Sequence, residues 1–209
     1  MGGIHRIATG LLLALLSSAG GGAHADEFLG TIKHFSLMDQ MMINHALSEY
    51  EDRDYLVLYI QGSGCPIARN SVPAYQQLWE QYRSRNVAFV MLNVFVQDDM
   101  HRIQKEVEMN DIRVPVLKDE DQTVAWSLGV ERTAEVFIIE PRTREVLFRG
   151  PISDQFSYEV RHLEAREEYL ADALETLYAG GVVDMSEVPD TSGCLVGYFH
   201  PRVMALRGN

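Results

Sequence analysis

Residues 55–85 read YLVLYI, QGSG and CPIARNSVPAYQQLWEQYRSR, and the fold follows from that division. Tyr55 to Ile60 is an unbroken apolar run rich in β-formers, which predicts a buried strand. Gln61 to Gly64 is a short glycine-containing turn. Cys65 comes next, then Pro66. Proline suits the first turn of a helix, where its missing N–H would have no intrahelical partner anyway. Ile67, Val72, Tyr75, Leu78 and Trp79 give that helix an apolar side. A strand therefore delivers a cysteine to the start of a helix. The helix dipole and unpaired N–H groups there favour the thiolate over the thiol. Placement alone leaves two readings of Cys65 open: a reactive thiol, or a small buried side chain or half of a structural bridge.

Working outward, Val87 to Val94 (VAFVMLNV) predicts a second strand, parallel to the first across a helical crossover. A helix is expected from about Met100 to Met109, capped by Asp98 or Asp99, with Met100, Ile103 and Val107 on its inner face. Val114 to Leu117 is a short extended piece, Lys118 to Gln122 a polar turn, and Thr123 to Leu128 a helical turn or two closed by Gly129. Glu135 to Ile139 and Glu145 to Phe148 predict a hairpin around Pro141-Arg142-Thr143-Arg144. The last helix is expected over Leu163 to Ala179, with Leu163, Leu170, Leu174 and Leu177 on one face and Gly180-Gly181 ending it. In the lead-in, Phe28 to Met38 predicts a short strand or hairpin. Met41 and Met42 beside His45 are expected to pack in the core rather than hold a soft metal. The order predicts an α/β fold: a mixed central sheet flanked by helices on both faces.

The first residues have the form of a secretory signal. Arg6 supplies a positive end, Ile7 to Leu16 an apolar core too short to span a bilayer, and Ala23-His24-Ala25 a cleavage site. The expected layout is a signal peptide over 1–25, one domain over 26–181 and an irregular tail over 182–209 that carries Cys194. Export places the mature chain in the periplasm or outside the cell, with no membrane span left after signal removal. The 209 residues carry a net charge of −12, and the signal stretch holds an arginine and no acid. A nucleic-acid partner is excluded on this balance, since such proteins need a positive surface.

Cys65 and Cys194 are the two cysteines of the chain. In an oxidising compartment an even count favours one disulfide. Residues 182–193 reach roughly 40 Å when extended at about 3.3 Å per residue, so distance is no obstacle to their meeting. His101, His162 and His200 show no ligand spacing with a cysteine or carboxylate. Neither a metal nor a cofactor is expected.

Strand, Cys-Pro and helix, with Pro73 eight positions beyond the cysteine, resemble the thioredoxin superfamily. The likeness is strongest to its redoxin branch, the alkyl hydroperoxide reductase and thiol-specific antioxidant type, over about Phe35 to Gly181. It is carried by Gly64-Cys65-Pro66, Pro73, Val87-Ala88-Phe89-Val90, Pro115-Val116-Leu117-Lys118-Asp119, Arg132-Thr133-Ala134-Glu135-Val136-Phe137 and Arg149-Gly150. Gly193-Cys194-Leu195 resembles the tail of a secreted subgroup with a lone helix cysteine. The resemblance implies a thioredoxin-like fold and a substrate groove at Gly64, Pro66, Arg69, Arg132, Thr133 and Ala134.

Three positions depart from the pattern. Ala68 stands where thioredoxins have the second cysteine of C-x-x-C. Ala134 stands at the superfamily's cis-proline, and its peptide is expected to be trans, because a non-proline cis bond costs about 2.5–4 kcal/mol. Gly62 stands where peroxiredoxins carry the hydroxyl residue that orients a peroxide. The resemblance implies an extracytoplasmic thiol oxidoreductase in which Cys65 attacks a disulfide or peroxide and Cys194 resolves the product. Its partners would be a thiol or disulfide protein or a small peroxide, with an external thiol reductant. The alternative is a non-catalytic binding module stapled by a structural Cys65–Cys194 disulfide.

Overall fold

The computed structural model describes residues 29–157 and 164–199. A small antiparallel hairpin, β1 (Ser36–Met38) and β2 (Asn44–Ala46), precedes the main sheet. That sheet contains β3 (Tyr55–Gln61), β4 (Val87–Asn93), β5 (Val116–Lys118), β6 (Val136–Ile139) and β7 (Val146–Gly150), in the order β5-β4-β3-β6-β7. β3, β4 and β5 run parallel, while β6 is antiparallel to both β3 and β7. The helices are α1 (Pro66–Tyr82), α2 (Met100–Met109), α3 (Thr123–Ser127) and α4 (Tyr169–Tyr178).

Strand side chains alternate between two cores, as the pleat requires. Val57, Tyr59, Phe89, Met91, Val136 and Ile138 pack with Val72 and Tyr75 of α1, Ile103 of α2, and Leu170 and Leu174 of α4. Leu56, Leu58, Ile60, Val90, Leu92 and Phe137 pack on the opposite face with Ile32, Leu47, and Val124 and Ala125 of α3. The two-faced mixed sheet read from the sequence is present. β3 is central and covered on both faces, which is why its sequence is a continuous apolar run rather than an alternating one. It ends at Gln61, and the chain turns through Gly62, Ser63 and Gly64 to reach α1.

Three expectations are corrected. The last helix begins at Tyr169, not at Leu163, which lies outside the described residues. Asp154 prevents an earlier start: its carboxylate accepts the N–H groups of Arg166 (2.9 Å) and Glu167 (3.4 Å), holding that stretch as a loop. Met41 and Met42 are 71% and 65% exposed rather than in the core. They sit at the tip of the β1–β2 hairpin, where Asp39 accepts the N–H of Met41 and of Ile43 and closes the turn. Lys118, expected in a polar turn, is the buried last residue of β5. Its ammonium donates to the Phe95 carbonyl at 2.6 Å and to Asn93 at 3.2 Å.

Candidate active site

Cys65 is the N-cap of α1, with extended backbone angles, and Pro66 occupies the first helical position. The turn before it closes with Cys65 N–H donating to the Gly62 carbonyl at 3.2 Å. Gly64 has φ +85°, a conformation that costs a side-chain-bearing residue energy and glycine little. The first turn of α1 is pinned from below by Tyr59, whose hydroxyl donates to the Ala68 carbonyl (2.9 Å) and meets the Ser71 hydroxyl (2.7 Å). These contacts fix where the sulfur points.

Thr133 and Cys194 meet that sulfur from the other side. The Thr133 hydroxyl lies 3.0 Å from Cys65 Sγ and accepts the Cys194 N–H at 3.0 Å. Cys65 and Cys194 are both thiols here. Burial pushes the Cys65 thiol up. The Ala68 N–H, the Cys194 thiol, the Thr133 hydroxyl and the Cys194 N–H outweigh it and leave the pKa below that of an ordinary cysteine. The Cys194 thiol lies within hydrogen-bonding reach of the Cys65 sulfur. Once the Cys65 sulfur is bonded in a mixed disulfide, a second thiol beside it, as its thiolate, can attack that sulfur and release the first partner.

The other expected groove residues divide. Gly64 and Pro66 shape the turn. Arg69 is tied to Glu106 of α2 by two hydrogen bonds, 3.1 and 3.2 Å, and so is committed to helix packing. Arg132 donates to the Gly193 carbonyl at 3.0 Å and so holds the tail. Ala134 has a trans peptide and an unusual φ of +67°. A non-glycine residue pays about 1–3 kcal/mol for such a conformation. Two bonds to β3 impose it: Ala134 N–H to the Ile60 carbonyl (2.7 Å), and Ile60 N–H to the Glu135 carbonyl (2.8 Å). At Gly62 a Cβ would lie 2.6 Å from the Phe95 ring, so that ring fills the space a peroxide-orienting hydroxyl would need.

A buried polar cluster behind Cys65 was not anticipated. Asp98 accepts the Ser63 N–H and the Asn93 side-chain amide, both at 2.8 Å, and pairs with Arg102 at 2.9 Å. Asn93 also donates to Gln61 at 2.6 Å and accepts from Lys118. Burial lowers the Lys118 pKa, with Asp98 and Asp119 opposing the shift. Glu135 does similar work below Thr133, accepting the N–H groups of Glu131 and Arg132 at 2.9 and 2.7 Å and pairing with Arg149. The sequence signal was polar residues interrupting apolar runs: Asn93 ending VAFVMLN, and Glu135 opening EVFII. Among the described residues no cluster of histidine, cysteine and carboxylates is arranged to hold a metal.

The family model described as AhpC/TSA matches residues 30–146. The chain belongs to the AhpC/TSA family. That membership makes it a thiol-based oxidoreductase by family. No curated protein matches it. Among solved structures it resembles a hypothetical protein from Sinorhizobium meliloti (TM-score 0.72, 22% identity, covering 82% of this chain and 94% of that one). It also resembles peroxidoxin BcpB from Mycobacterium tuberculosis (TM-score 0.53, 21% identity, 71% and 94%). A third likeness is to a proposed thiol:disulfide interchange protein, DsbE, from Chlorobium tepidum (TM-score 0.54, 18% identity, 75% and 98%). At these identities the likeness speaks for the fold, which is thioredoxin-like.

Proposed function

We propose that this AhpC/TSA-family chain is an extracytoplasmic thiol–disulfide oxidoreductase, with Cys65 the attacking thiol and Cys194 the resolving one. The observation that carries the reading is the convergence of the Thr133 hydroxyl and of Cys194 on the Cys65 sulfur. The Cys65 thiolate attacks one sulfur of a substrate disulfide, and the other sulfur leaves as a thiolate. Cys194 then attacks the Cys65 sulfur and releases the second substrate thiol, leaving a Cys65–Cys194 disulfide. An external dithiol, oxidised in exchange, returns both cysteines to thiols. In this way Cys194 substitutes for the cysteine missing at Ala68.

Peroxide reduction is the second reading, favoured by the 1% exposure of Cys65, which suits a small oxidant. The Phe95 ring at Gly62 weighs against it. The extracytoplasmic part rests on residues 1–25, which lie outside the described residues. No described helix is long and apolar enough to cross a membrane. The proposed layout keeps 26–181 as the redox domain and 182–209 as the tail.

The test is trapping. A Cys194→Ser chain incubated with a disulfide substrate should accumulate a mixed disulfide on Cys65, and the unmodified chain should pass through to the Cys65–Cys194 form. The potential of that pair should lie above about −300 mV. A pair well below that value, inert to millimolar glutathione, would make it a structural staple and the domain a binding module.

A further inference from the structure

Cys65 is almost fully enclosed, and the chain's own tail helps to close it in. Gly193–Val196 runs antiparallel along Glu131–Thr133. Thr133 N–H donates to the Cys194 carbonyl at 2.9 Å, Val196 N–H donates to the Glu131 carbonyl at 2.9 Å, and Arg132 and Leu195 pair between them. This is the pattern by which a sheet edge captures an extended peptide, with backbone bonds supplying affinity irrespective of side chains. Side-chain selection enters at two points. The residue on the Cys65 sulfur must be cysteine for exchange to occur. The residue before it must be glycine in this seat, because a Cβ at Gly193 would fall inside the Thr133 carbonyl oxygen. Leu195, one residue on, is 69% exposed and selects nothing.

The strap is also built to lift. A cavity of about 590 Å³ lies beside it, lined by Arg132, Glu135, Arg149, Val188, Thr191 and Ser192. Its far end is anchored independently: Gln122 donates to the Gly197 carbonyl (2.8 Å) and accepts the Phe199 N–H (3.1 Å), and Tyr198 donates to the Val130 carbonyl (2.7 Å). Gly193–Val196 can therefore leave the edge while the chain from Gly197 on stays attached.

We propose that Gly193–Val196 is a self-docked strap that gates Cys65. Lifting it admits, in the same register along Glu131–Thr133, an extended peptide disulfide whose cysteine follows a glycine. The inference rests on Cys65 being the reacting thiol. In the first step the Cys65 thiolate bonds to the peptide cysteine, and the peptide's disulfide partner leaves as a thiolate. The peptide then vacates the edge when the strap returns and Cys194 displaces it from the Cys65 sulfur. The Cys194 proton passes to the departing peptide thiolate through solvent. Two chain thiols are oxidised and one peptide disulfide is reduced.

The test uses the reduced full-length chain and the disulfide dimer of the peptide Ser-Gly-Cys-Leu-Val. Gly193→Val should unseat the strap. Gly197→Val is the control, since a Cβ there meets nothing within 4 Å. Reactivity of a gated thiol scales with the open fraction, so Gly193→Val should raise both iodoacetamide labelling of Cys65 and its first-step rate with the peptide disulfide by at least about tenfold. Gly197→Val should match the parent chain. Val196→Pro, which removes the N–H bonded to Glu131, should reproduce the gain and serves if Gly193→Val does not fold. The peptide with alanine before its cysteine should react more slowly than the glycine peptide in every opened variant. Equal rates for parent and opened variants overturn the gate, and equal rates for the two peptides overturn the glycine requirement. A Ser-Gly-Ser-Leu-Val peptide should shift the amide resonances of Glu131–Thr133 in Gly193→Val, independently of redox chemistry. Absence of that shift overturns the docking register. Shifts without any thiol exchange keep the docking register but overturn Cys65 as the reacting thiol.

Discussion

The hydroxyl of Thr133 stands 3.0 Å from the sulfur of Cys65, across 68 positions of sequence. It donates to that sulfur while accepting the N–H of Cys194, so one side chain links the thiolate to the strap above it. Peroxiredoxins place a hydroxyl on the cysteine's own loop. Here the hydroxyl comes from the segment before β6, because Phe95 fills the space at Gly62.

Thr133→Val keeps the shape of the side chain and removes both hydrogen bonds. The Cys65 pKa should rise, since a donor to the thiolate is lost. Thiolate absorbance against pH in a Cys194→Ala background should show it directly: the midpoint moves up when valine replaces threonine. Attack on a small disulfide at neutral pH should slow by about tenfold, the worth of one hydrogen bond to a charged group. An unmoved midpoint would mean the hydroxyl only holds the tail.

Much of this was legible in the chain. Strand, turn, cysteine, proline and helix are local signals, and Pro66 at N1 and the apolar run 55–60 mark them without reference to anything distant. The hairpin of β6 and β7 announced itself through its proline-containing turn. The strap did not, because its seat consists of backbone bonds that any sequence can make, and Gly193 was its single trace. The Asp98 cluster was hidden for a related reason: Asp98 looked like a helix cap beside Asp99. Only the fold shows that Asp99 caps α2 while Asp98 turns inward to Ser63. Met41 and Met42 misled because apolar residues at a hairpin tip carry no sign that the tip faces solvent.

Grafting the peroxiredoxin hydroxyl back should fail on packing. Gly62→Thr must displace the Phe95 ring and is expected to cost about 1–3 kcal/mol of stability, the usual range for overpacking. The same substitution in a Phe95→Ala chain should cost less, and a double-mutant cycle by urea denaturation measures the coupling. An equal cost in both backgrounds would show that the ring is not the obstacle.

Restoring proline at position 134 should also fail. Ala134 holds φ +67° and donates its N–H to Ile60. Proline permits neither. Ala134→Pro is expected to lose at least about 2 kcal/mol, combining a lost buried hydrogen bond with a backbone that must rearrange. Ala134→Gly should be tolerated, since glycine adopts this conformation at little cost. Thermal melts of the two variants, run side by side, separate a backbone effect from simple loss of a methyl group.

The last prediction concerns acid. Asp119 is 1% exposed at the start of α3. Burial pushes its carboxyl up to about 6, against the pull of the Ala125 and Val124 N–H groups and of Lys118. A carboxyl whose folded pKa exceeds its unfolded value of 3.8 favours the native state most when protonated. Its contribution is therefore full below about pH 4 and is lost as pH rises through 6. Roughly 2 pKa units correspond to about 3 kcal/mol at most. Asp119→Asn cannot titrate, so any constant cost of the substitution cancels when its stability is compared with the parent chain across pH. Denaturation of both from pH 4 to pH 7 should show the difference moving in favour of the asparagine chain by up to that amount, with its midpoint between the two pKa values. A difference that stays flat over this range would mean that Asp119 titrates as an ordinary exposed carboxylate.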